Sequence, residues 1–267
     1  MNTFILIDIT LMDANCPIPS LLDNARPSWV SPLYDESALT VTPLLIDVQA
    51  LIAGGDVDQL MSMWNCRRPQ LHVSIINSNF SLSQIAIHLQ QFIYITTNFK
   101  EVFTFRFADC AVLECLPDHL TSEQWQAMTR PIARWAIHGR NGRLRDLPLV
   151  NDNLEPSIIP LHLEDKQVKA LKDALFADCL IYQLRRIRPT QIKLYDGTEL
   201  HALVKEAYRL WQISGNSDQL LLLDFLLGAI DTDGRILRMS GVVEILSQSS
   251  VEAVRSELNK AISRNSF

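Results

Sequence analysis

The sequence contains no hydrophobic run long enough to cross a membrane. Of its 267 residues, 48% are hydrophobic, and the mean hydropathy is +0.08. Unbroken apolar runs such as Leu220–Leu223 are far shorter than the roughly 20 residues that a membrane helix needs. The composition therefore predicts a globular protein. With domains averaging about 150 residues, the length suits one large domain or two small ones.

An excess of basic residues is also absent. The chain has 24 Lys and Arg against 30 Asp and Glu, which gives a formal charge of −6 and a pI near 5.5. Proteins that bind nucleic acid usually carry a basic domain or stripe, because phosphate contacts supply much of their affinity. We therefore expect no nucleic-acid partner.

The cysteines do not form a disulfide framework, since there are five of them and they are widely scattered. They are Cys16, Cys66, Cys110, Cys115 and Cys179. This pattern favours a reducing compartment. The N-terminal stretch Met1–Asp8 has no basic residue before its short apolar segment, so it does not resemble a signal peptide. We expect a cytoplasmic protein.

Short motifs of catalysis and cofactor binding are missing as well. With only nine glycines, the chain has no Gly-x-Ser-x-Gly elbow, no phosphate-binding loop and no dinucleotide-binding loop. Its six histidines lie far apart, and none belongs to a His-Glu-x-x-His motif. We therefore expect a protein that is not an enzyme and needs no cofactor.

Two segments have some character of metal sites. Residues 231–234 (Asp-Thr-Asp-Gly) resemble part of a calcium loop, but the first ligand and the terminal glutamate of such a loop are missing, so a turn is favoured. Cys110, Cys115 and His119 have unusual spacing for zinc and lack a second close pair. The sequence predicts buried cysteines on a helix there, and no metal site.

Proline usage divides the chain into two regimes. Five of the twelve prolines precede residue 44, whereas residues 161–267 contain only Pro189. We predict an α+β protein: an N-terminal α/β lobe over residues 1–150, with a mixed sheet and flanking helices, and a C-terminal helical bundle over residues 151–267. Strands are predicted at 4–7, 71–76 and 135–137, helices at 56–64, 81–91, 164–187, 200–211, 218–230 and 251–262, and a linker at 151–156.

A hairpin is predicted over residues 92–107, with its turn at 98–100. Side chains alternate along a strand, so Phe103, Phe105 and Phe107 should share one face of the second arm. Arg106 should lie on the opposite face, together with Val102 and Thr104.

Residues 105–109 (Phe-Arg-Phe-Ala-Asp) resemble the Phe-Arg-Phe-Tyr-Asp-Pro signature of the effector-chaperone, or adaptor, family of bacterial type VI secretion. Further segments follow in the order found in that family. They are the strand ending at Asp8, Pro32–Tyr34, Pro43–Ile46, the helix 81–91 and Arg130–Trp135. The resemblance covers about residues 3–145.

The resemblance implies a non-catalytic chaperone that binds a toxic effector in the producing cell and helps to load it onto the VgrG spike protein. It implies a partner-binding site, for which the expected residues are Arg106, Asp109, Phe105, Phe107, Tyr34 and Trp135. Arg106 and Asp109 would form its polar part, unless they pair with each other or cap a helix as part of the scaffold.

Other interpretations stay open at this point. An enzyme could assemble a site from dispersed His, Cys and Asp residues, and an immunity protein would bind the catalytic domain of a toxin instead of its delivery region. Two basic clusters, Arg140–Arg145 and Arg185–Arg188, are either solvated surfaces or docking sites for an acidic peptide.

Overall fold

A computed structural model of the chain describes residues 1–12, 26–66, 69–98, 100–149, 161–248 and 250–265. Cys16 and the linker predicted at 151–156 lie outside these described residues. The fold is α+β, as predicted, and it divides into two compact units, Met1–Leu175 (unit 1) and Phe176–Phe267 (unit 2). The domain boundary at residue 150 stays a prediction.

The described residues of unit 1 form two sheets. Their strands are β1 Asn2–Asp8, β2 Val30–Pro32, β3 Pro43–Asp47, β4 Val73–Ser78, β5 Tyr94–Thr97, β6 Val102–Thr104, β7 Arg134–His138, β8 Leu144–Asp146 and β9 Leu161–Leu163. The large sheet has the order β2-β3-β1-β4-β7-β8, and all its neighbours are antiparallel. The small sheet has the order β6-β5-β9 and is mixed, because β5 pairs with β9 in parallel.

In the described residues of unit 1, five α-helices accompany these sheets, and a sixth begins there. They are α1 Val48–Gly54, α2 Val57–Asn65, α3 Leu82–Gln90, α4 Cys110–His119, α5 Ser122–Thr129 and α6 Asp165–Ile187. The boundary between the two units falls within α6. Helices α3 and α5 each begin with a capping box, in which Ser81 and Thr121 bond to the third residue of the helix and that glutamine bonds back.

Strand β1 is buried on both faces, which explains the continuous apolar run in its sequence. Phe4 and Leu6 point to one face of the large sheet and join one hydrophobic core, whereas Ile5 and Ile7 point to the other face and join a second core. Both faces are covered, so both sets of side chains must be apolar.

Unit 2 is helical in its described part. Besides the end of α6, it contains α7 Pro189–Ile192, α8 Gly197–Ser214, α9 Gln219–Asp231, α10 Val242–Leu246 and α11 Val251–Asn265. Helix α8 contains the helix predicted at 200–211, and its buried residues are Leu200, Val204, Ala207, Leu210 and Trp211. Among the described residues, no helix has both the length and the apolar character needed to cross a membrane.

Candidate partner-docking surface

Residues 105–109 form the turn between β6 and α4. Beyond the end of β6, the Phe105 N–H still donates to the Ile93 carbonyl of the neighbouring arm at 2.6 Å. The chain then turns, and the Asp109 N–H donates to the Arg106 carbonyl at 3.1 Å. Asp109 caps α4 by accepting a hydrogen bond from the Ala111 N–H at 2.9 Å. The motif therefore redirects the chain from a sheet into a helix and leaves Arg106 at the surface.

Arg106 pairs with a buried carboxylate at the end of the central strand of the large sheet. Its Nη2 donates to Asp8 Oδ2 at 2.8 Å and to Thr10 Oγ1 at 2.7 Å. The other oxygen of Asp8 accepts hydrogen bonds from the Thr10 N–H and hydroxyl, at 2.9 and 2.6 Å. Nη2 lies farther from Asp109 Oδ2, at 3.9 Å. Arg106 thus joins β1 to the β6–α4 turn.

The surroundings of this pair explain its electrostatics. The side chain of Asp8 is only 4% exposed, whereas that of Arg106 is 46% exposed. A buried carboxylate needs a charged or hydrogen-bonding partner, because it has lost the stabilisation that water gives. Burial lowers the pKa of the Arg106 guanidinium, but the charge and the hydrogen bond of Asp8, together with the nearby Asp109 and Tyr34, raise it, and the net shift is upward. Arg106 therefore stays charged and balances Asp8.

Tyr34 lies beside the same pair. It is half-buried, and burial followed by the charge of Asp8 raises the pKa of its hydroxyl, while the charge of Arg106 acts in the opposite direction. We call Asp8, Thr10, Tyr34, Arg106 and Asp109 the Arg106 cluster. Of the residues predicted for a partner-binding site, the structure brings Tyr34, Arg106 and Asp109 together here.

The three other predicted residues lie in the core. Phe105 and Phe107 are buried. The predicted strand does not reach them, because β6 ends at Thr104 and residues 105–109 form a turn, so their burial does not come from strand alternation. Trp135 is fully buried on β7, stacks on Trp125 with 6.3 Å between ring centroids, and donates its indole N–H to Ser74 Oγ at 3.1 Å. In this structure these side chains belong to one hydrophobic core and present almost no area to a partner.

Sequence reasoning missed Asp8 and Thr10 as members of the site. Asp8 was identified only as the end of a strand, and it is 98 residues away from Arg106 along the chain. The available signal was a charged residue that directly follows a buried apolar run, since such a residue needs a partner. Nothing in the local sequence identifies that partner.

One family comparison covers this region. Residues 3–127 match the family model of a domain of unknown function, DUF4123. No curated protein and no solved structure matches the chain. The DUF4123 segment includes the whole Arg106 cluster, all of β1 except Asn2, and strands β2 to β6, and it ends within α5. Trp135 and the rest of the predicted Arg130–Trp135 segment lie beyond the match.

A Cys–His contact within the DUF4123 segment does not have the geometry of a nucleophile and its base. Cys66 Sγ lies 3.6 Å from His72 Nε2, and the same nitrogen lies 3.0 Å from the Met63 carbonyl oxygen. A carbonyl only accepts hydrogen bonds, so Nε2 must carry the proton and donate it. In that tautomer Nε2 is unable to take a proton from Cys66.

Cys110 and Cys115 lie on helix α4, as predicted, but Cys115 is only half-buried. Cys110 is fully buried and donates its thiol to the Val73 carbonyl at 3.1 Å, while Cys115 donates to the Ala111 carbonyl one turn earlier at 3.4 Å. Nowhere in the described ranges do three or more His, Cys, Asp or Glu side chains come together as metal ligands would. At residues 231–234, Asp233 and Gly234 adopt the positive φ of a tight turn.

Cys110 is expected to resist alkylation in the folded protein. Burial raises the pKa of its thiol well above the usual range, and the thiolate is the reactive form. Iodoacetamide at pH 8 should therefore modify the exposed Cys179 first and Cys110 only after unfolding. Peptide mass spectrometry over a time course measures both rates. Equal rates at Cys110 and Cys179 in the native protein would contradict the buried position of Cys110.

Two arginines of each basic cluster either have an acidic partner or lie in the last turn of a helix. Arg140 and Arg145 both form ion pairs with Glu114 of α4, which offsets part of their charge. Arg185 and Arg186 occupy the last turn of α6, where basic side chains stabilise the exposed carbonyl groups. These contacts favour a scaffold role over the docking of an acidic peptide.

Proposed function

We propose that this protein is a non-catalytic adaptor of bacterial type VI secretion that binds an effector and helps to load it onto the VgrG spike protein. The observation that carries the proposal is the match of residues 3–127 to DUF4123, which contains the Phe105–Asp109 motif. It agrees with the resemblance of that motif to the effector-chaperone family, whose defining domain bears an unknown-function label.

The Arg106 cluster supports a binding role. All hydrogen bonds that the guanidinium makes within the described part of the chain come from Nη2, so the N–H groups of Nε and Nη1 remain for a partner. Asp8 and Thr10 hold the guanidinium in place, which lowers the entropy cost of ordering it on binding. Arginine is a common residue at the centres of protein interfaces, where its several donors bind carbonyl and carboxylate oxygens.

The direct test is capture of the effector encoded beside this gene. The tagged chain and the effector are co-expressed, and the complex is isolated and its Kd measured. We expect a stable complex, and we expect Arg106→Lys to weaken it about tenfold, the equivalent of about 1.4 kcal/mol. Lysine keeps a positive charge near Asp8 but loses the planar set of donors. Charge reversal is unsuitable, because it would place a second carboxylate beside Asp8.

Arg134→Lys is the matched control. Arg134 is 44% exposed and pairs at 2.8 Å with Asp146, so it resembles Arg106 in exposure and ion pairing but lies outside the cluster. Its replacement should leave the Kd unchanged. Equal weakening by both variants would show that the Arg106 cluster is not the binding site. Fragments of the effector separate an adaptor, which binds the delivery region, from an immunity protein, which binds the toxin domain.

A further inference from the structure

Strand β6 forms an open edge of the small sheet. The sheet order is β6-β5-β9, so within the described residues β6 has a neighbour on one side only. The register pairs Tyr94 with Thr104, Ile95 with Phe103 and Thr96 with Val102. This short edge is separated from the Arg106 cluster by a single residue, Phe105.

The hydrogen bonds of the hairpin show which backbone groups face away from β5. The Phe105 N–H donates to Ile93 O, and the Thr97 N–H donates to Glu101 O, at 2.6 and 3.1 Å. In an antiparallel pair, hydrogen-bonded positions alternate with positions whose N–H and C=O groups point outward. The outward positions of β6 are therefore Val102 and Thr104. Both residues are exposed, and no hydrogen bond to their backbone comes from the described residues.

The side chains around this edge differ between the two faces of the sheet. On the outer face, Val102 and Tyr94 are 63% and 50% exposed, which leaves apolar and aromatic area in contact with water. On the inner face, Phe103 is 40% exposed, and Lys172 Nζ lies over its ring, 5.9 Å from the centroid. A chain placed along β6 would thus meet apolar side chains on one face and a positive charge on the other.

We propose that an extended segment of the effector pairs with the open edge of β6 as an additional strand. The inference rests on the proposed function. The outward N–H and C=O groups of Val102 and Thr104 select an extended backbone, since a helix has satisfied its own groups. The alternating faces select a segment with apolar residues toward Tyr94 and Val102 and an acidic residue toward Lys172. The same segment can continue toward Arg106.

Thr104→Pro tests the edge directly. Proline removes the outward N–H of residue 104, which takes no part in the pairing with β5, so the hairpin should persist. We expect Thr104→Pro to weaken effector binding at least tenfold, about 1.4 kcal/mol or more. Thr104→Ala keeps the N–H and should bind within about twofold of the original protein, roughly 0.4 kcal/mol. Lys172→Glu should also weaken binding.

The outcomes separate this inference from the proposed function. If Thr104→Pro captures the effector with unchanged Kd, the edge is not the docking site although the adaptor function stands. If the unaltered protein captures no effector, the proposed function fails. A β6-dependent dimer of this chain, with effector binding unaffected by Thr104→Pro, would identify a second copy as the occupant and overturn the inference.

Hydrogen exchange gives a second readout that needs no variant. The amides of Val102 and Thr104 should exchange at least tenfold more slowly in the effector complex, because they become hydrogen-bonded. Exposed amides elsewhere, such as those of β8, serve as the internal control and should not change. Unchanged exchange at Val102 and Thr104 in a saturated complex would overturn the inference even if Thr104→Pro failed to fold.

Discussion

Replacement of Arg106 by methionine is expected to destabilise unit 1 by about 2–3 kcal/mol. The substitution leaves the buried Asp8 carboxylate without its cationic partner, and the cost falls below that of a fully buried pair because Arg106 is half exposed. Urea denaturation followed by tryptophan fluorescence measures the change. Four of the five tryptophans lie in unit 1, so this signal reports mainly on the relevant part of the chain.

Two control variants test whether the lost stability comes from the unpaired carboxylate of Asp8. Arg134→Met removes an ion pair whose carboxylate, on Asp146, is 58% exposed, so it should cost less than about 1 kcal/mol. Combining Arg106→Met with Asp8→Asn should recover much of the lost stability, because no unpaired charge remains and the amide oxygen still accepts from Thr10. Equal costs for Arg106→Met and Arg134→Met, with no recovery in the double variant, would contradict the structural role of the pair.

The second large effect is expected at Phe107. Phe107→Ala should destabilise unit 1 by about 3–5 kcal/mol, since the side chain is almost fully buried and its removal leaves a cavity. Phe103→Ala is the control from the same segment, and its cost should be about 1 kcal/mol or less because the ring is 40% exposed. The same denaturation experiment measures both.

Binding measurements on these two variants decide between a core role and a contact role. We expect Phe103→Ala to bind the effector more weakly while it keeps its melting temperature, since Phe103 borders the open edge of β6. Phe107→Ala should lose binding only together with its fold. A folded, fully stable Phe107→Ala protein that no longer binds would instead support the direct contact that the sequence suggested.

Local signals in the sequence were sufficient for much of the fold. The helices predicted at 81–91 and 200–211 are present as α3 and α8, and the capping box at Ser81 and the apolar stripe of α8 depend on neighbours within a few residues. Helix caps and hydrophobic periodicity are set by residues that are close together in the sequence. The α+β class followed from the order of these elements.

Contacts between distant segments were not predictable in this way. The ion pair of Asp8 with Arg106 spans 98 residues, and the parallel pairing of β5 with β9 brings Thr96 to His162 across 66 residues. Many distant residues could pair with Asp8 or with β5 as far as the local sequence is concerned. The arrangement of all the strands in the fold determines which of them does. The family resemblance placed Phe105, Phe107 and Trp135 in the candidate site, whereas the structure buries them in the core.

Capture of the neighbouring effector tests the central claim most directly. The chain is deleted in the producing cell, and the abundance of the effector and its association with VgrG are measured alongside co-purification of the two proteins. The adaptor account predicts a stable complex, a fall in effector abundance on deletion and loss of the effector from VgrG. No complex, together with unchanged effector abundance and unchanged association with VgrG, would contradict it.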